Sequence, residues 1–225
     1  MKIAVITGVS GLQGATIQDP ANGGYANVDY YAFVDREHDC KIWQQRPLLD
    51  FSLDSYFYPR RNAKLPKVLG FLLVPGYDYY IWHDHHCELQ MDPEDLINTH
   101  VKDNDMAVWR HAARKCVYEE IDLLNRINFD TNDSLTSTLD YFNRINWPAQ
   151  SGLYELTSLV YANTPKVQAA LLTWWEFICK HSSRDQISFP LIAKKHRLKL
   201  GIMPGSAQPY GGSNTIMPVI RDKNS

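Results

Sequence analysis

Lys2-Ile3-Ala4-Val5-Ile6, running straight into Thr7-Gly8-Val9-Ser10-Gly11-Leu12-Gln13-Gly14, is the stretch on which the fold class turns. A short, continuous apolar run rich in β-branched residues reads as a strand buried on both faces, the condition of interior parallel strands. The glycine-rich stretch behind it reads as a connection rather than an element. Working outward, residues 28–34 repeat the strand signal and close on Asp35, and 40–49 predict a third strand containing Pro47. Pro66 is expected in the first turn of a helix, with Val68, Leu69, Leu72 and Leu73 at helical spacing. The aromatic run 77–82 reads as a strand ending abruptly in His83-Asp84-His85-His86, and Asp92-Pro93-Glu94-Asp95 opens a helix.

Further on, 106–110 reads as a strand and 117–146 as two helices broken near residues 130–133. Residues 153–161 return to strand. Thr164-Pro165 caps a long amphipathic helix with Val167, Ala170, Leu171, Trp174, Trp175 and Ile178 at helical spacing. Ser182 or Ser183 is expected to cap a last helix reaching about Lys195. Such alternation predicts an α/β fold, a mostly parallel central sheet flanked by helices, with a helical insertion around 117–146. The expected organisation is one domain over 1–203 and a Gly/Pro/Ser/Asn-rich tail over 204–225.

A 225-residue chain buries roughly 70% of its unfolded surface, enough for a full core without disulfide or structural metal. With 44% hydrophobic and 21% charged residues the composition is that of a soluble globule. A net charge of −2 excludes a surface built for nucleic acid. The longest apolar stretch, 68–74, stops at Pro75-Gly76, far short of a membrane span, and no secretory h-region follows Met1. Cys40, Cys87, Cys116 and Cys179 contain no C-x-x-C pair and read as reduced thiols, which points to the cytoplasm.

Four constellations carry chemistry. The glycine loop, with Asp35 roughly 20 residues beyond it, has the outline of a dinucleotide site. Its glycines are spaced G-x-x-G-x-x-G, however, and Asp19-Pro20 interrupts any helix behind them. An NAD-binding oxidoreductase, plain turn glycines and a nucleotide loop of another kind all stand as readings. Arg60-Arg61-Asn62-Ala63-Lys64-Leu65-Pro66-Lys67, leading into a helix N-terminus, is either a diphosphate grip or a solvated basic turn. Asp84 and His86, just beyond a strand end, are either two ligands of a divalent cation, Mn²⁺ in preference to Mg²⁺, or a hydrogen-bonded turn. Glu155 lies at or inside a strand, where a carboxylate needs a partner or a task. Asp185 opens a helix, as a cap-region acid or as a group facing a cleft.

Taken in order, these blocks resemble a known family, the glycosyltransferase-like domain of plant mucilage and turgor proteins and their bacterial relatives. The likeness rests on the first strands through Phe33-Val34-Asp35, the R-R-N-x-K-x-P-K block at 60–67, Tyr80-Ile81-Trp82-His83-Asp84 and Gly152-Leu153-Tyr154-Glu155. It is completed by Trp174-Trp175 and by Ser183-Arg184-Asp185-Gln186-Ile187-Ser188-Phe189. The resemblance implies a single GT-A-type nucleotide-sugar domain. In it Thr7 and Asp35 contact base or ribose, Arg61, Lys64 and Lys67 hold phosphate, Asp84 serves the metal site, and Asp185 and Gln186 form the late acidic helix start. His86 stands where a second carboxylate is usual. The expected activity is transfer of a sugar from a nucleoside-diphosphate donor to an acceptor hydroxyl of a glycan, lipid or protein. If the outcome is inverting, Asp185 or Glu155 is the base. The alternatives are a catalytically silent nucleotide- or glycan-binding module and, more distantly, a metal-dependent hydrolase built on His83 to His86.

Overall fold

Seven strands form one sheet in the order β3-β2-β1-β4-β6-β5-β7. They are β1 (Ile3–Val9), β2 (Val28–Val34), β3 (Gln44–Pro47), β4 (Tyr79–His83), β5 (Met106–Arg110), β6 (Tyr154–Ala162) and β7 (Leu200–Met203). Six helices surround them: α1 (Tyr58–Leu73), α2 (Pro93–His100), α3 (Val117–Arg126), α4 (Asn132–Arg144), α5 (Pro165–Lys180) and α6 (Asp185–Lys195). The structure is a computed structural model and describes residues 1–11, 15–17, 19–20, 22–48, 58–87, 89 and 91–205. Leu12, Gln13 and Gly14 of the glycine loop, Leu49 of the expected third strand, and 206–225 of the expected tail lie outside the described residues.

Neighbouring strands are parallel except for β6, which runs antiparallel to both β4 and β5. Strand alternation sends Ala4, Ile6, Tyr80 and Trp82 to one face, against α1, α5 and α6. Ile3, Val5, Ile81 and Val160 go to the other, against Leu96 and Ile97 of α2. Both faces are covered, which is why β1 is apolar from Ile3 to Ile6. The two helices α3 and α4 build a satellite core of their own around Ile121, Leu124, Leu135 and Phe142, closed by Trp147 and Phe177. No helix among the described residues is long and apolar enough to cross a membrane.

Two local expectations are corrected, and one strand is added. Pro66 does not sit in a first turn: α1 starts at Tyr58 and carries Pro66 in its interior. Proline contributes no amide to the helical ladder, and the helix is kinked three residues further on, at Leu69 (φ −110°, ψ 24°). The basic block therefore runs from the first turn of α1, at Arg60, into its body, and Lys64 and Lys67 lie beyond the helix N-terminus. Neither Ser182 nor Ser183 caps α6. Arg184 stands at that position without a side-chain cap, while both serine hydroxyls donate to Asp130 Oδ2, at 2.8 and 3.0 Å. Finally, the chain returns after α6 as β7, a strand whose signal is masked by Gly201 inside a run of only four residues.

Candidate active site

Because six strands run one way, the carboxyl ends of β1, β2, β4 and β5 collect at one edge, and the amino end of antiparallel β6 joins them. That edge is where open α/β sheets bind ligands. Asp84 lies there, one residue past β4. Its amide donates to Thr157 O (2.8 Å) and its Oδ1 accepts from Trp82 Nε1 (3.0 Å). No further hydrogen bond to its carboxylate is formed among the described residues.

The Trp82 indole also lies beneath Lys67, whose Nζ is 5.9 Å from the ring centre. Lys67 is a buried cation, 1% exposed, and makes an ion pair with Asp185 at the start of α6, itself 1% exposed. Lys64, one turn earlier on α1, reaches the same Oδ2 at 3.2 Å and keeps 20% of its side chain in solvent. A glycine at position 8 allows this packing: a Cβ there would sit 3.2 Å from both Pro66 Cγ and Trp82 Cη2.

Burial is the strongest influence on Lys67 and pushes its ammonium down to about 8, against the opposing pull of Asp185 and Asp84. For Asp185 burial again acts first and disfavours the charge, but Lys64, Lys67 and Arg184 together outweigh it. Its carboxyl is held well below the usual carboxylate range. The pair is ionised near neutrality, and a carboxylate so held is a poor proton acceptor.

The remaining candidates divide. Glu155, 2% exposed in β6, pairs across the sheet with Trp109 after a register shift in β5, and its Oε1 accepts from Ala112 N at 3.1 Å. Gln186 Nε2 donates to Tyr154 O at 3.1 Å, which ties α6 to the same end of β6. Its buried Oε1 has no partner among the described residues. Asp35 Oδ2 accepts from Gly11 N at 2.6 Å and so shapes the loop after β1. Thr7 is fully buried with the Ile3 and Val5 side of the sheet, opposite Trp82, and its Oγ1 is unpaired among the described residues. Arg61 turns to the α5–α6 connection, donating to His181 O at 3.2 Å. The His86 ring lies edge-on to His85, 5.3 Å between centres. His83 faces away, against Trp43. Among the described residues no three His, Cys, Asp or Glu side chains gather as a metal cluster. The structure thus brings Asp84, Lys64, Lys67 and Asp185 together, sets Glu155 and Gln186 beside Tyr154, and separates Thr7 and Arg61 from both groups.

A further acidic centre stands beside the candidate site, at the start of α3. Glu120, fully buried, takes Arg114 Nε at 2.6 Å and Arg184 Nε at 3.1 Å, so it anchors the residue preceding Asp185. The sequence carries the signal: Glu120 falls on the stripe of Val117, Ile121 and Leu124, whereas Glu119 does not.

This strand order, with its single reversed strand and its polar groups at the carboxyl edge, is the architecture of the GT-A glycosyltransferases. The WbbM bifunctional glycosyltransferase in its apo form superposes with a TM-score of 0.53 at 10% identity, over 90% of this chain and 39% of that one. Mouse xyloside xylosyltransferase 1 gives 0.48 at 8% identity, over 90% and 85% of the two chains. The chain belongs to the TOD1/MUCI70 glycosyltransferase-like domain family, whose pattern matches residues 26–203. It is also 25% identical over 190 residues to the probable hexosyltransferase MUCI70 of Arabidopsis thaliana, covering 75% of this chain and 32% of that protein. The chain thus spans about a third of the length of that relative.

Proposed function

We propose that this domain moves a sugar from a nucleoside-diphosphate donor to an acceptor hydroxyl. The observation that carries the reading is the role of Trp82: its indole N–H fastens Asp84 while its ring lies against Lys67. An acid and two cations therefore share one face at the ligand-binding edge of the sheet. Lys64 is the cation with solvent access and meets the departing diphosphate directly, whereas Lys67 adds charge from beneath. Cations fixed where negative charge accumulates lower the barrier to leaving-group departure.

Asp84 and His86 are the residues that would hold a divalent ion, and a donor set of one carboxylate and one imidazole would favour Mn²⁺ over Mg²⁺. Bound there, such an ion supplies neutralisation of the leaving diphosphate. Asp35 and the loop it holds through Gly11 are assigned to the ribose or base. For an inverting outcome the base is Glu155. Asp185 is already committed to both lysines, which makes it the group that positions them.

The test is a thermal-shift panel of UDP-, GDP-, CMP- and dTDP-sugars with Mn²⁺, followed by assay of nucleotide release. A true donor at a hundredfold excess over Kd stabilises by about 2.7 kcal/mol. Stabilisation without release would leave the silent binding module, which His86 in place of a second carboxylate favours. No stabilisation by any donor removes the proposal.

A further inference from the structure

A groove of about 480 Å³ opens between the later turns of α6 and the segment leading into β6. Its walls include Trp147, Ser151, Tyr154, Pro190, Lys194 and Arg197. The volume falls within the range of sites that enclose small ligands. Two features fix its chemistry. Its lining among the described residues contains two cations and no acid. Its aromatic side is formed by Tyr154 and Trp147, with Lys194 Nζ 5.0 Å over the Trp147 ring.

The groove is also joined to the candidate active site. Gln186, Pro190, Lys194 and Arg197 succeed one another at intervals of three and four, which places them on one stripe of the helix and its end. Gln186, at the head of that stripe, follows Asp185 and bonds the Tyr154 carbonyl, the residue before Glu155. One side of α6 therefore runs from the proposed reaction centre into a channel lined with rings and positive charge.

We infer that this groove receives the acceptor, and that the acceptor is an anionic glycan. A sugar ring lies against Tyr154, the half-buried ring of the groove, while Lys194 and Arg197 take the negative groups, the guanidinium in bidentate fashion. Its role as the acceptor channel rests on the sugar-transfer reading; the anionic glycan site does not. A carboxylate of a uronic acid and a sulfate ester present the same chemistry to these cations.

The experiment titrates the whole chain with three oligosaccharides of equal length: uronic-acid, sulfated and neutral. A Lys194→Gln/Arg197→Gln variant is titrated alongside; both side chains are exposed, and its melting curve verifies folding. One of the charged chains binds more tightly than the neutral one, and which of them does so identifies the anionic group. That affinity falls at least tenfold in the variant, the least expected when one of its two charge-assisted contacts is lost. Equal affinity for the neutral chain, or affinity unchanged in the variant, overturns the inference. A parallel titration with nucleoside diphosphate separates the readings. Glycan binding without nucleotide binding keeps the anionic site and removes the acceptor role. Nucleotide binding without glycan binding removes this inference alone.

Discussion

Lys67 and Asp185, 118 residues apart in the chain, meet as a buried ion pair between the body of α1 and the first residue of α6. Lys64 shares the same carboxylate oxygen. The pair closes the sheet face that carries Trp82 and Asp84, so the two halves of the chain are joined where the proposed donor site lies. A buried pair adds little net stability over a well-packed apolar one, but loss of a single partner strands the other charge. On the proposed reading, the pair and the solvent-reaching Lys64 together direct positive charge at the donor diphosphate.

Breaking the pair tests that. Lys67→Met is expected to cost about 3–5 kcal/mol in urea unfolding, and the Lys67→Met/Asp185→Leu double variant to recover most of the loss. The double variant should nonetheless bind nucleoside diphosphate more weakly than wild type. Wild-type stability in Lys67→Met contradicts the assignment.

Stability should fall on mild acidification. His38, His100, His111, His181 and His196 are each held below the ordinary 6.5, in every case chiefly by burial. Below that pH the unfolded chain binds more protons than the folded one, so their contribution is complete above 6.5 and is lost as pH falls through the folded values. Asp185, held below its ordinary 3.8, adds a loss of the same sign in stronger acid. The urea midpoint should therefore be lower at pH 5.5 than at pH 7.5 (~2 pH units apart). An equal or higher midpoint in acid contradicts this account.

Gly201→Ala should be severe. A methyl group at that position collides with the backbone carbonyl of His100, where β7 passes the end of α2, and neither partner is a flexible side-chain tip. A loss of about 3 kcal/mol is expected from such overpacking. An unchanged melting temperature shows that β7 does not pack so closely.

The layered α/β plan was legible because its signals are local. Apolar runs at 3–6 and 28–34, the Asp92-Pro93 start with its bond to Glu94 N (2.8 Å), and the Thr164 cap each act within a few residues. What escaped was set by tertiary contact. The interior position of Pro66 depends on how α1 bends over β1, and the pairing of Ser182 and Ser183 with Asp130 joins segments about 50 residues apart. The reversal of β6 leaves no trace in its residues, because an antiparallel strand covered on both faces is as apolar as a parallel one. Candidate residues were found by type at strand and helix ends, as with Asp84 and Asp185. Which of them converge was not readable: Arg61 and Lys64 are neighbours in the basic block, yet one bonds the His181 carbonyl and the other Asp185. Glu119 and Glu120 both open a helix, where the dipole alone accounts for an acid, and only the folded chain shows Glu120 paired with Arg114 and Arg184.

The central claim is that Asp84 and Lys64 act on one diphosphate, and calorimetric titration of nucleoside diphosphate with Mn²⁺ addresses it directly in wild type, Asp84→Asn, Lys64→Ala and the double variant. Asn keeps an acceptor for Trp82 Nε1, so folding should be preserved. Each single change is predicted to weaken binding about tenfold, with the effect of Asp84→Asn confined to the Mn²⁺ condition and the double change non-additive, as for residues sharing a ligand. Wild-type affinity in both single variants, with melting temperatures intact, would contradict the account.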